Sequence, residues 1–228
     1  MKKYEFTDET KFVDGVTLHR IRAVRDIPEH GVRVGLFGGF LQSERNMSQD
    51  CPAWVGGGAC VLGSALVEDR AFVSGQTTVK GGAVIGGSAV VVGLGVEVTG
   101  AAYVGGSAHV REYAQIYGSI NVVGTAAISG RAKVHGAGSI KSNECIGFDA
   151  DVGSTRDWLH IGPAKSSGRY VTAYRDAVIG VRVQTGCFTG TVEEFSRTIE
   201  ETHHSNQEAL HQYRLICQLI AFNFGVQP

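Results

Sequence analysis

A chain of 228 residues is the size of one ordinary domain, or of one elongated body with small attachments at its ends. Its 43% hydrophobic and 19% charged residues exclude a disordered chain, and 21 Lys plus Arg against 22 Asp plus Glu leave a net charge of −1, which gives neither the basic field of a nucleic-acid binder nor the acidity of a nucleic-acid mimic. Glycine is the unusual figure: 32 Gly with only 4 Pro is far from collagen, yet it implies a tight turn that recurs.

Residues 1–52 read as an N-terminal capping segment. Lys2–Phe6 and Val16–Ala23 are expected strands around the hairpin signal Asp14-Gly15, followed by Pro28 and the Gly-rich stretch Gly35–Gly39. The opening Met1–Glu9 lacks the apolar run of a signal peptide, and no stretch reaches the roughly eighteen apolar residues of a membrane span, so the expectation is a soluble cytoplasmic protein without a membrane partner. Cys51, Cys60, Cys145, Cys187 and Cys217 form no CxxC pair, which argues against a disulfide framework or zinc knuckle.

Residues 53–155 are periodic. Ala53, Ala59, Ala65, Ala71, Thr77, Ala83 and Ala89 recur every sixth position, each followed two residues later by Val or Ile and, two further on, by Gly or Asp. One inserted residue near Leu94-Gly95 shifts the phase, and the aliphatic series resumes from Val98 to Val152. Each hexad predicts a short strand with one face inward and a corner at the glycine, and three hexads predict one triangular coil of about eighteen residues. Five to six coils follow. The inserted residue must sit in a corner, because a one-residue slip inside a strand would turn every aliphatic side chain outward.

These hexads resemble the hexapeptide-repeat family, which implies a left-handed parallel β-helix. Handedness comes from the resemblance alone, since ordinary crossover rules favour the right hand. The expected fold is mainly β, with an N-terminal β cap and a small α+β C-terminal domain over 156–228. In that domain Trp158–Gly162, Tyr170–Arg175 and Val178–Gln184 read as three strands. Capping boxes at Thr191–Glu194 and Ser205–Glu208 predict two helices, the second lined by Leu210, Tyr213, Cys217 and Ile220.

The two ends resemble a second group, uncharacterised phage and prophage proteins that join such a β-helix to an α+β tail. Gly38-Gly39-Phe40 through Asn46-Met47-Ser48-Gln49-Asp50 is similar to their "GGW…NLSQ" opening. Ile161-Gly162-Pro163, Thr172–Arg175 and Gly186–Thr191 with Glu194-Phe195 and His203 are similar to their tail pattern. Where that pattern has Gly-Ser-Arg after Gly-Pro, this chain has Lys165-Ser166-Ser167.

Hexapeptide-repeat proteins are best known as acyltransferases that bind acyl-CoA against the coils and use a histidine as general base, which makes His109 and His135 the candidates here. The long insertion that encloses the acceptor in that family is absent, and no carboxylate in the same or the adjacent coil obviously orients either ring. Cys187 with His203 and His204 has the residue types of a thiol nucleophile, but its alternation with Val183 and Thr185 reads as a buried thiol. A metal at His203, His204 and His211 is disfavoured because neighbours in sequence diverge on a helix.

Stacking every third hexad builds two apolar outward columns, Trp54, Phe72, Val90 with Val92, and His109 on one face and Leu66, Val84 and Tyr103 on the next; such columns predict an oligomer interface, a trimer being favoured, the alternative being coverage by the N-terminal segment. The third face is polar and includes Tyr117 and His135. In the tail, Trp158, His160, Arg175 and Glu194 accompany the motif stretches and are the candidate binding groups. The leading expectation is a phage-type, non-catalytic, homo-oligomeric scaffold in the host cytoplasm, with no cofactor, that sequesters a small molecule or blocks a host defence protein. The alternatives are an acyltransferase and a structural virion component.

Overall fold

The computed structural model describes residues 2–141, 143–164 and 167–227. The hexads form a parallel β-solenoid of about six coils with three faces, one face continuing into the N-terminal hairpin as a nine-stranded sheet. Partners along each face are eighteen residues apart, as in Phe72 with Val90, His109 with Ala127 and Lys133 with Asp151. Across the insertion the spacing becomes nineteen, as in Val90 with His109 and Thr78 with Glu97. The extra residue is absorbed at the corner before Glu97, where Leu94 is 70% exposed while Val91, Val96 and Val98 stay buried. Register is therefore conserved inside every strand, as inward packing demands.

The inward column is made of Ala, Val and Ile side chains with essentially no exposure, from Ala53 to Val152. Corners adopt positive φ, and at Gly106 (φ +65°) a Cβ would lie 2.6 Å from the backbone nitrogen of Gly124 in the next coil. Asp69 and Glu112 occupy the same corner position with φ of 58° and 64°. Each compensates by accepting a hydrogen bond from the next coil: Gly87 N–H donates to Asp69 at 2.8 Å, and Gly130 N–H to Glu112 at 2.7 Å.

The top of the stack is closed by the N-terminal segment. Tyr4–Val13 and Val16–Ala23 form a hairpin through Asp14 and Gly15, both at positive φ as a two-residue hairpin turn requires. The first strand runs seven residues beyond its expected end at Phe6. Phe37–Leu41 then pairs in parallel with Cys60–Val61, so the coil begins before the first hexad. Lys3 is fully buried and its Nζ donates to the carbonyls of Cys51 (2.8 Å) and Ala53 (2.6 Å). Burial lowers its pKa to about 8. Asn46 Nδ2 donates to Gly63 and Ala65, and Gln49 Oε1 accepts from the Lys3 backbone. Asn46 thus satisfies carbonyls that the first coil presents to no preceding coil, and Gln49 ties the start of the N-terminal strand to the cap.

The bottom is closed by a four-stranded antiparallel sheet: Trp158–Ile161, Val171–Asp176, Gly180–Thr185 and Phe188–Gly190. The fourth strand is absent from the sequence expectation, because three residues after Gly186 are too few to show alternation. Helix α1 spans Val192–His203 with the expected Thr191–Glu194 capping box. Helix α2 spans Gln207–Phe224, and its N-cap is Asn206, which accepts from the Ala209 N–H, so the cap stands one residue beyond the expected Ser205.

The sheet is bolted to the last coil. Trp158, 8% exposed, joins the coil core; Gly147 N–H donates to Tyr174 Oη at 3.3 Å; Ala177 N–H donates to the Asp149 carbonyl; and the Arg182 guanidinium lies 4.1 Å from the centre of the Phe148 ring. Arg182 also pairs with buried Asp176 at 2.6 Å, whose carboxylate accepts from the Val178 and Ile179 N–H groups. Burial alone would raise the Asp176 pKa, but Arg182 and those two amides outweigh it and hold it below the ordinary carboxylate value.

Two outcomes follow from this architecture. Val110 is fully buried in a central coil, so Val110→Asp, which buries an unpaired carboxylate at a cost of several kcal/mol, should abolish the cooperative thermal transition seen by circular dichroism. Asp176 has a depressed folded pKa, so its contribution is present at neutral pH and lost as pH falls below about 4. Asp176→Asn should lower stability by ~3 kcal/mol at pH 7 in denaturant titrations, and the gap between variant and wild type should narrow toward pH ~3. A gap independent of pH would remove the ion pair from the explanation.

Candidate ligand cleft

Where the C-terminal sheet meets the last coil, it leaves a cleft of two lobes. The first, about 480 Å³, has Asn143 and Cys145 of the coil on one wall and Tyr170, Thr172, Gln184 and Thr189 of the sheet on the other. The second, about 460 Å³, lies between the sheet and the helices, against Phe195, Ile199, His203 and Tyr213. Arg169, Thr185, Cys187 and Phe188 line both lobes and form the wall between them.

Local structure explains these positions. Gly186 at φ +56° turns the chain between Gly180–Thr185 and Phe188–Gly190, and its missing side chain leaves room for the Arg169 guanidinium, whose Cζ would be 2.9 Å from a Cβ there. No ion pair joins Arg169 to any of the described residues. Thr185 Oγ1 is buried and has no hydrogen-bond partner among the described residues. His160 stacks on Tyr170 with ring centres 4.7 Å apart, and its Nδ1 is 2.9 Å from Thr172 Oγ1, while its Nε2 is buried and unpartnered. Burial pushes the His160 pKa down, which favours the neutral ring. Leaving such groups unpaired costs free energy that a ligand could recover.

Of the four tail residues expected to bind, His160 alone stands behind this cleft, through Tyr170 and Thr172. Trp158 is a core plug. Arg175 donates to the Phe224 carbonyl at 3.2 Å and lies over the Phe224 ring, so it closes the C-terminus of α2. Glu194 accepts from the Thr191 N–H at 2.8 Å, which commits it to the α1 cap and lowers its pKa. Cys187 is exposed and not buried as its alternation suggested, because the strand ends at Thr185. It shares the second lobe with His203, but that ring stacks on Tyr213 at 5.0 Å and no hydrogen bond joins it to the thiol. Among the described residues no cluster of His, Cys, Asp or Glu suited to a metal ion occurs.

On the coils, the Trp54 column is not open as expected. Trp54 is 1% exposed beneath the N-terminal cap, where a Cβ on Gly38 would approach its ring to 2.8 Å. Phe72 is half-buried and stacks on His30 at 5.1 Å. A third cleft, about 590 Å³, opens here between Glu29, His30, Arg70, Phe72, Ser88 and Val90, with His30 Nε2 buried and unpartnered. Val90, Val92, Leu66, Val84 and Tyr103 remain half-buried along the outward faces.

His109 is half-exposed, with Nδ1 3.4 Å from the Arg111 guanidinium. His135 is held more firmly. It stacks on Tyr117 with ring centres 4.9 Å apart and 3° between planes, and its Nε2 lies 2.9 Å from Asp151 Oδ1. A carboxylate in the next coil therefore orients this ring, contrary to the sequence expectation, because Lys133 and Asp151 are register partners and their neighbours stack with them.

Sequence reasoning missed Arg169, Thr185, Tyr170 and Asn143. The signal available was the departure after Gly162-Pro163: Lys165 and Ser166 lie outside the described residues, but Arg169, two places beyond Ser167, brings a guanidinium into the same turn. No family model matches the chain, and no curated protein matches it.

Proposed function

We propose that the chain is a non-catalytic binding scaffold of phage type, in which a homo-oligomeric β-solenoid holds a small ligand in the two-lobed cleft of its C-terminal sheet. The observation that carries this reading is the common wall of the two lobes, where Arg169 without an acidic partner and Thr185 with a buried, unpaired hydroxyl face the same space. The motif resemblance of both chain ends to phage and prophage proteins supports the setting, a host cytoplasm in which sequestering a signal molecule or occluding a defence protein would serve the phage. The apolar columns Phe72, Val90 and Val92, and Leu66, Val84 and Tyr103, support association of subunits, a trimer fitting three-faced coils. Trp54 has no part in it.

Native mass spectrometry of protein purified under gentle conditions tests ligand and stoichiometry together. A trimer carrying a small-molecule mass, lost on denaturation and lost in the variant Thr185→Val, is the expected result. A monomer without any bound mass, and no change in melting temperature across a metabolite extract, would sink the reading.

A second reading is favoured by one observation, the His135–Asp151 contact. Asp151 engages Nε2 and leaves Nδ1 as the atom that could take a proton from an acceptor attacking an acyl-CoA thioester. In that case free CoA should be released from acetyl-CoA in the presence of an amine or hydroxyl acceptor, and His135→Ala should reduce the rate at least about a hundredfold. Equal rates in the two proteins exclude it.

A further inference from the structure

We infer that the ligand of the two-lobed cleft is a small organic anion carrying an aromatic ring, its anionic group paired with Arg169 and its ring in the second lobe. The inference rests on the binding reading above and adds the class of ligand. Three observations converge on it. Neither lobe is lined by Asp or Glu among the described residues, and Arg169 is the one guanidinium in either. That guanidinium is positioned by packing over Gly186 and not by an ion pair, so its fork is left for an external carboxylate or phosphate.

The second lobe is an aromatic slot. Phe188 and Phe195 are 5.3 Å apart, Phe195 and Tyr213 meet edge to face at 88°, and His203 lies flat on Tyr213. Such a lining takes a planar ring at its offset and edge contacts, while Arg169 and the lack of any Asp or Glu among its described lining residues disfavour a cationic group. The first lobe supplies donors. Gln184 Oε1 already accepts from Tyr174 Oη at 3.0 Å, which leaves the amide nitrogen to donate, and Thr172, Thr185 and Thr189 add hydroxyls. A ligand spanning the wall would therefore place its ring among Phe188, Phe195 and Tyr213, its charge at Arg169, and its remaining oxygens among the threonines and Gln184. A neutral sugar would leave the Arg169 guanidinium without a group of opposite sign, and a cation would be repelled.

Isothermal titration of the full chain with phenyl phosphate, phenol and inorganic phosphate separates the two parts of the recognition. Phenyl phosphate should bind at least tenfold more tightly than either component, a difference of about 1.4 kcal/mol or more. Arg169→Gln, at an exposed side chain whose loss leaves the circular dichroism spectrum unchanged, should reduce phenyl phosphate to the affinity of phenol and leave phenol untouched. The inference is overturned if phenyl phosphate binds no better than phenol, or if Arg169→Gln leaves its affinity unchanged. A neutral molecule found by native mass spectrometry in the same cleft would overturn the anionic class while leaving the binding reading standing; absence of any ligand by both methods would overturn both.

Discussion

A stack of parallel coils has two raw ends, and everything irregular in this chain is a response to them. Inside the stack each strand bonds to the coil above and below, but the first and last coils each present a row of carbonyl and amide groups to nothing. An open edge of this kind invites pairing with another chain, and a buried unpaired amide or carbonyl costs ~1–3 kcal/mol. At the top, the solution is a set of side chains that imitate a missing coil: Lys3 Nζ on the carbonyls of Cys51 and Ala53, and Asn46 Nδ2 on Gly63 and Ala65. A lysine with no exposed surface is expensive to bury, and burial pushes its pKa down to about 8. It is tolerated because the Nζ donates toward two carbonyls at once.

The bottom is closed differently, and the difference creates the cleft. There an antiparallel sheet turns across the stack and is fixed to the last coil by Trp158, Tyr174, the Ala177 N–H on the Asp149 carbonyl and Arg182 over Phe148. A flat sheet set on a triangular end cannot follow all three faces, so a gap remains beyond Asn143 and Cys145. The helices, packed on the sheet's other side, leave the second gap. The proposed site thus lies where the regular body stops. Coil side chains are fixed by an eighteen-residue register, whereas the turns of the closing sheet can vary without disturbing any ladder.

This division also explains how far the sequence was legible. The solenoid, its coil number and the absorption of the inserted residue at Leu94 could be read because six-residue periodicity repeats over a hundred positions, and a single misplaced side chain does not obscure it. The Thr191–Glu194 cap was equally clear, since both of its bonds are local. The cleft was not. Its walls come from residues 143–145, 167–172 and 184–213, segments that no local pattern relates. Motif resemblance drew attention to Arg175 and Glu194, residues that close helix ends, because groups that fix a fold and groups that bind a ligand have the same polar chemistry in a sequence. Trp54 misled for a related reason: its phase made it outward, and only the length of the N-terminal segment determines that it is covered.

The His135–Asp151 contact shows the same ambiguity in the structure itself. In a stack of equal coils, outward side chains of successive coils are brought about 4.8 Å apart whether or not they do anything together. The polar face consequently holds several such pairs: Lys80 with Glu97, Tyr117 over His135, and His135 with Asp151. Lys80 and Glu97 form a ladder that offsets charge on a solvated surface, and Asp14 of the hairpin joins them. A histidine held by a carboxylate on that face is therefore weaker grounds for catalysis than it would be in a cavity, where the arrangement would have to be built at a desolvation cost. His135 lines neither the cleft around Arg169 nor the one under His30. Pairing that the repeat supplies at no expense argues for little. Unpaired polar atoms that the fold buries against its own stability, such as Thr185 Oγ1, argue for a ligand, and this asymmetry is why the binding reading takes precedence over the catalytic one.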